Sequence, residues 1–261
     1  MPRSATHLVL IPSYNSGPRL LPTVQEALKQ WQPVWVVVDG STDGSFLPVL
    51  ERAQSNPDLR VLQRPKNGGK GSAVLTGAEE AVAAGFTHVL VMDSDGQHPA
   101  DHIPRFMEAS QQQRDAAVLG VPVFGPEVPL ERLHGRKLSV GLVRFETWGG
   151  GVDDPLFGFR VYPAKPLIHA LQETRHARGF DFDPEVAVRL FWNGTPTVNL
   201  PAPCRYLSKA DGGVSHFHYV RDNVKMVWLH TRLLLQLLVW RWPAARRAQR
   251  ARRLRVSTAS S

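Results

Sequence analysis

Two carboxylates two residues apart, Asp93 and Asp95, follow the apolar run His88-Val-Leu-Val-Met92. On an extended turn after a strand both can reach the same side, and hard divalent cations prefer such oxygen ligands. A cation held there can bridge two phosphates. Taken alone, the pair also fits two solvated acids capping a helix that begins near Pro99. Upstream, Asn67-Gly-Gly-Lys-Gly-Ser-Ala73 places glycines at 68, 69 and 71 around Lys70, ahead of a helical pattern. Backbone without side chains lets a ligand come close, and helix N–H groups can face an anion. Lys70 is then placed to contact a nucleotide or a phosphate. A plain loop-to-helix junction does not need three glycines and a lysine so close together.

The elements that must position these groups are legible in the first 120 residues, where short apolar runs alternate with longer amphipathic ones. Strands are predicted near 7–11, 34–38, 59–63, 87–92 and 116–121, with helices near 18–30, 44–55, 70–84 and 100–111. That is the pattern of a parallel sheet flanked by helices. Each candidate motif then falls at the C-terminal end of a strand, where ligands bind in open α/β sheets. Two further motifs share this placement, Ile11-Pro-Ser-Tyr-Asn15 and Val38-Asp-Gly-Ser-Thr-Asp43. Asp43 reads as the N-cap of the next helix.

Together the four stretches, in this order, resemble family 2 glycosyltransferases. The resemblance is sharpest to the branch, typified by dolichol-phosphate-mannose synthases, that moves a sugar from a nucleotide sugar to a membrane lipid phosphate. It implies a GT-A fold, Rossmann-like, with a mostly parallel sheet. It also implies a catalytic divalent metal, Mg2+ or Mn2+, on Asp93 and Asp95, with Gln97 of Asp-X-Asp-X-Gln facing it. His98 fits either orientation of the site or holding of the loop. Donor contacts are implied for Pro12, Tyr14, Asn15, Asp39, Gly69, Lys70, Asp93 and Ser94. Asp39 would accept hydrogen bonds from the base or ribose, although Val38 stands where many relatives carry a further acid or Asn. Asn15 also fits a plain turn.

Beyond Pro122 the proline- and glycine-rich stretch to Pro129 predicts a mobile loop, followed by a helix near 131–148 that stops at Gly149-Gly-Gly151. Asp153-Asp-Pro-Leu-Phe-Gly-Phe-Arg160 resembles the Asp-Pro-X-X-Gly-Phe element of the lipid-phosphate branch. In that branch two arginines hold the acceptor phosphate. Arg136 matches one. The other would fall near Gly120-Val-Pro122, where this chain has none, and Arg132, Arg144 or Arg160 are the substitutes in sequence, Arg160 being assigned to the acceptor here. A helix near 180–193 carries Asp183 and Glu185 at its start, and 195–207 reads as two short strands around Pro201. Asp154, Asp183 and Glu185 are the acids from which a general base could come, Asp154 first. His216, in Ser215-His-Phe-His218, is a candidate third metal ligand by resemblance or else a structural histidine.

The segment from about 218 to 242 is amphipathic. On a helix, Arg221, Lys225, Arg232 and Gln236 fall within about 60° of one another and nearly everything else is apolar. Lys225, His230 and Arg232 interrupt a run that a membrane span would need to be apolar for about 20 residues. An interfacial helix is the expectation, with packing of its apolar face on the sheet as the other reading. Seven arginines follow within Arg241–Arg255 and no acid is among them, so of the net charge of +8 the rest of the chain holds +1. Such a tail suits an anionic membrane surface, and its place after the most apolar segment favours that over nucleic acid.

With 261 residues, 43% of them apolar, the chain can bury one substantial core. The expected organisation is a glycosyltransferase domain at 1–215, with a nucleotide-sugar half at 1–121 and an acceptor half at 122–215. An amphipathic interface helix at 216–242 and a basic tail at 243–261 complete it. The lone Cys204 excludes an internal disulfide and a cysteine zinc site, and it reads as a small buried residue. No secretory signal is visible near His7–Ile11, so the expected location is cytoplasmic, on the inner face of the membrane. The predicted activity is inverting, metal-dependent transfer from a nucleotide sugar to a lipid acceptor, first a polyprenyl phosphate. A hydroxyl of another lipid or lipid-like metabolite is the alternative acceptor. A non-catalytic nucleic-acid-binding protein would leave the metal motif without purpose.

Overall fold

The computed structural model of the protein describes residues 3–125, 130–179, 181–204 and 219–241. β1 (His7–Ser13), β2 (Val34–Asp39), β3 (Leu59–Arg64) and β4 (His88–Val91) pair in parallel in the order β3-β2-β1-β4. Helices α1 (Leu20–Gln30), α2 (Leu47–Ser55) and α3 (Lys70–Ala83) connect them. Every residue of β1, β2 and β4 is buried. Strands covered on both faces read as unbroken apolar runs, which explains Val34-Trp-Val-Val-Val38. Along β1 the side chains alternate between two cores. Leu8 and Leu10 join the one under α3, and Val9 and Ile11 join the one under α1 and α4 (Ile103–Gln112).

The second half adds β5 (Ala117–Phe124), α5 (Leu130–Glu146), β6 (Arg160–Pro163), α6 (Ala164–Gln172), α7 (Phe182–Trp192) and β7 (Thr197–Cys204). The full sheet order is β3-β2-β1-β4-β6-β5-β7, with β6 antiparallel to both neighbours. A mostly parallel α/β sheet is thus present as expected. β6 and α6 have no counterpart in the sequence reading, because a four-residue strand opening on arginine and closing on proline leaves no periodic signal. The two short strands expected around Pro201 are one strand. β7 lies at the sheet edge and pairs only with β5, and an edge strand accommodates proline where the missing N–H would face away from the sheet. β5 likewise runs through Pro122, past its ladder with β6, which ends at Leu119. Of the stretch expected to be a mobile loop, 122–124 is therefore strand, while 126–129 lie outside the described residues.

The C-terminal helix α8 (Tyr219–Gln236), continued by a π-helical turn Leu237–Arg241, matches the expected span. Three of its polar residues, His230, Arg232 and Gln236, turn toward the body, while Lys225 is exposed. Arg232 donates to both carboxylate oxygens of buried Glu185 at 2.7 and 2.6 Å, and Gln236 accepts from Arg189 of α7 at 3.1 Å. Leu229, Leu233 and Leu237 enter the core, and buried His230 meets Glu146 of α5 at 2.9 Å. Val224, Val227, Trp228, Leu235, Leu238 and Val239 face outward, Val227 at 68% and Trp228 at 56% exposure. Packing on the body and an exposed apolar face are both realised, on opposite sides of one helix. Among the described residues no helix is long and apolar enough to cross a membrane.

Candidate functional site

The site forms where β1, β2 and β4 end. Met92 continues β4 by donating its N–H to Leu10, and the chain then turns at Asp93. The Asp93 N–H donates to His98 Nδ1 at 2.9 Å, which leaves the ring proton on Nε2, 3.6 Å from Asp93 Oδ2. The His98 ring is buried edge-on against Phe157 and Phe159, at centroid distances of 4.9 and 5.6 Å. One histidine therefore holds the turn and orients the carboxylate, so the two roles left open for it are the same role.

Lys70, the first residue of α3, reaches across the site. Its Nζ donates to Asp93 Oδ1 and to Asp183 Oδ2, both at 2.7 Å. Burial pushes the Asp93 carboxyl up, but Lys70 and His98 outweigh it and hold it down at about 2. Burial alone would lower the Lys70 ammonium, yet Asp183 and Asp93 raise it on balance. Asp95 is in the opposite position: burial, then the charge of Asp93, raises its carboxyl, outweighing His98, the hydrogen bond from the Gln97 N–H at 3.0 Å and Lys70. One carboxylate has its cation and the other resists ionising beside it. A hard divalent ion would relieve that conflict, so the donor set fits the metal expected here. Among the described residues no cluster of three His, Cys, Asp or Glu is complete, and His216 lies outside them.

The donor-side residues are assembled, but several do other work. Asp39, 2% exposed, was expected to face the base. It is paired with Arg64 and accepts the Gly68 and Gly69 N–H groups, the latter at 2.7 Å. Its oxygens thus tie the glycine loop to its strand neighbour. Arg64 is a residue the sequence reading missed, although it stands opposite Asp39 in the β2–β3 register. Asn15 takes the turn reading: at φ +45° its N–H donates to Ser41 Oγ and its Oδ1 accepts from the Thr42 N–H. Pro12 is buried within β1, and Tyr14 is about one-third exposed beside it. Ser94 joins the first loop to the carboxylate turn through Ser16 Oγ at 2.7 Å. Asp43 does not cap α2. It accepts from Ser45 and from the Gly17 N–H at 3.0 Å, which ties the second loop to the first.

The glycines of the 67–73 loop admit protein rather than only ligand. At Gly69, with φ +87°, a Cβ would lie 2.0 Å from the Arg178 carbonyl oxygen, and at Gly71 it would lie 1.8 Å from that of Ala177. The Gly71 N–H donates to Arg178 O at 3.1 Å. That donor of the α3 N-terminus is consequently used by the chain itself.

On the acceptor side, Arg136 from α5 grips Asp154 with Nε at 2.7 Å and Nη2 at 3.0 Å, and its guanidinium lies over the Phe124 ring. Asp154 is buried and also accepts the Leu156 and Phe157 N–H groups at 2.9 and 2.8 Å. Four donors on one carboxylate make it a clamp for Arg136. Arg160 is 0% exposed and donates to the carbonyls of Phe157, Asp183 and Asp154 and to the Tyr162 hydroxyl. It stitches the loop beneath the site. Cys204, half-buried at the end of β7, has its thiol pushed up to about 11 by burial, with Arg136 opposing and Asp95, Asp154 and Asp93 adding to the rise. The arginine clamp and the carboxylate turn are joined through Phe157, whose ring meets His98 and whose N–H donates to Asp154.

A profile of glycosyl transferase family 2 matches residues 8–170. A polyprenol monophosphomannose synthase of Mycolicibacterium smegmatis is 30% identical over 201 residues, covering 74% of this chain and 75% of that protein. An undecaprenyl-phosphate mannosyltransferase of Micrococcus luteus is 26% identical over 207 residues, covering 74% and 81%. Among solved structures, glucosyl-3-phosphoglycerate synthase of Mycobacterium tuberculosis, with Mn2+, UDP-glucose and phosphoglyceric acid, superposes at a TM-score of 0.58 with 17% identity, covering 89% of this chain and 78% of that chain. A mannosyltransferase of Pyrobaculum calidifontis with GDP-mannose and Mn2+ gives 0.57 with 20% identity, covering 94% and 74%. At these identities the structural likenesses speak for the fold.

Proposed function

Because the chain belongs to glycosyl transferase family 2 and is a glycosyltransferase, we propose that it moves a sugar from a nucleotide sugar to a polyprenyl-type lipid phosphate, with inversion, at a membrane surface. The observation that carries this is the Lys70–Asp93 pair beside His98, which packs on Phe157 and so connects the carboxylate turn to the Arg136–Asp154 clamp. The lipid-phosphate substrates in the names of the two relatives above agree with it.

A divalent ion on Asp93 and Asp95, with Gln97 beside them, would offset the negative charge of the donor's diphosphate as it leaves. Lys70 adds a fixed positive charge on the same group. The acceptor oxygen attacks the anomeric carbon from the opposite face, the bond to the diphosphate oxygen breaks, and its electron pair leaves with the nucleoside diphosphate. A phosphate acceptor is already ionised near neutrality and needs no strong base. This suits a site in which Asp154 is saturated with donors. Arg136, held rigid by that carboxylate, is the group assigned to the acceptor's anion. The absence of an arginine at Gly120-Val-Pro122 favours a second reading, transfer to a lipid hydroxyl, for which a base would have to be found.

The outward face of α8, with Trp228, Leu235 and Leu238, and the arginines that follow in sequence are the features assigned to an anionic bilayer, on the cytoplasmic side. The test is to incubate membranes holding the protein with a panel of radiolabelled nucleotide sugars. Label that becomes lipid-extractable and is released by mild acid supports a lipid phosphate acceptor. Acid-stable lipid label supports the hydroxyl reading, and no lipid label contradicts both.

A further inference from the structure

Asp183 has no role in the reaction as read above, yet its carboxylate is aimed at the centre of the site. It sits in the first turn of α7, and its backbone carbonyl is fixed by Arg160 Nη1 at 2.7 Å. Oδ2 accepts from Lys70 Nζ at 2.7 Å, while Oδ1 is buried with no hydrogen-bond partner among the described residues. The carboxylate is thus dedicated to Lys70. Gly158 makes the approach possible, since a Cβ there would lie 2.5 Å from Lys70 Nζ and 3.3 Å from Asp183 Oδ1. The ammonium is also seated over the Phe182 ring at 5.6 Å.

Lys70 donates to Asp93, the same carboxylate assigned to the divalent ion. If Asp93 were its only anion, ammonium and metal would compete for one group. A second carboxylate on the far side of Nζ removes the competition, because Lys70 keeps a full charge partner when Asp93 turns to the metal. We propose that Asp183 is a positioning residue: it holds the Lys70 ammonium off Asp93 during metal binding and keeps it pointed at the donor's diphosphate. The proposal rests on the reading of Asp93 and Asp95 as the metal site.

The experiment is calorimetric titration of the full chain with Mn2+ alone, on the unsubstituted protein, Asp183→Asn, Lys70→Met and the double variant, each checked by thermal unfolding in chelator. The expected result is that Asp183→Asn weakens Mn2+ binding about tenfold, because an ammonium left with one anion is drawn onto Asp93. Lys70→Met binds Mn2+ at least as well as the unsubstituted protein, and the double variant matches Lys70→Met. Unchanged binding in Asp183→Asn, or a defect that persists in the double variant, overturns the proposal. Should Asp183→Asn not fold, Lys70→Met alone decides: weaker Mn2+ binding overturns the proposal, and equal or tighter binding supports it. An unsubstituted protein that does not bind Mn2+ defeats the metal reading itself, an outcome distinct from failure of the Asp183 role.

Discussion

Arg136 and Asp154 face each other through two parallel hydrogen bonds, Nε to Oδ2 at 2.7 Å and Nη2 to Oδ1 at 3.0 Å, across 18 positions of sequence. This geometry fixes the plane of the guanidinium as well as its position. Lysine keeps the charge but not the fork. Arg136→Lys is expected to raise the acceptor's Michaelis constant by about tenfold or more, with nucleotide binding by calorimetry little changed. Asp154→Asn should move the same parameter without altering the shape of the kcat pH profile. A profile that loses its acidic limb in Asp154→Asn would make Asp154 the base after all.

Asp95→Asn should abolish nearly all transfer yet leave the protein as stable as before, or more so, when unfolded in chelator. The sign follows from the raised carboxyl. A folded pKa above the unfolded value means that ionisation near neutrality works against the fold, and asparagine removes that cost. A thermal midpoint several degrees lower in the variant would contradict this account of the site.

At the opposite ends of β1 and β4, His7 and His88 stack with ring centroids 4.2 Å apart and an interplanar angle of 2°. Burial, then His88 and Arg114, lower the His7 imidazole from 6.5 to about 4. The unfolded chain therefore binds the proton more readily than the folded one. Stability is full above pH 6.5 and falls as pH drops toward 4. Denaturant unfolding at a series of pH values should show this slope, and His7→Gln should flatten it.

The exposed apolar face of α8 gives a prediction separable from folding. Leu235→Glu with Leu238→Glu should reduce binding to anionic vesicles while the thermal midpoint changes little, since both side chains point outward. Truncation after Trp242 should weaken binding further, because each basic residue near an anionic surface adds on the order of 1 kcal/mol. Salt should weaken the remaining attraction without removing it, as only the electrostatic part is screened. Equal partitioning of all three proteins at low salt would show that this face is not used.

The legibility of these features in the sequence divides along physical lines. β1, β2 and β4 are readable because buried parallel strands are continuous apolar runs, and Asp93, Asp95, Lys70 and Arg136 because their motifs are local. β6 is not, being four residues whose partners lie far away in sequence. The Lys70–Asp183 pair joins residues 113 apart and leaves no local trace. The amphipathic pattern of α8 is legible in the sequence, but a polar stripe predicts a distinct face and not whether water or a buried Glu185 receives it. Asp39 shows the same limit, since its residue type announces an acceptor and only the fold shows that Gly68, Gly69 and Arg64 take it.

The central claim is transfer to a lipid phosphate at the Asp93–Asp95 site, and one measurement addresses it most directly. Purified protein is given labelled nucleotide sugar, Mn2+ and vesicles that carry either a polyprenyl phosphate or the corresponding polyprenol. The account predicts lipid-linked label with the phosphate only, lost on chelation and in Asp95→Asn. Equal labelling of the polyprenol, or labelling of the phosphate that survives chelation, would contradict it.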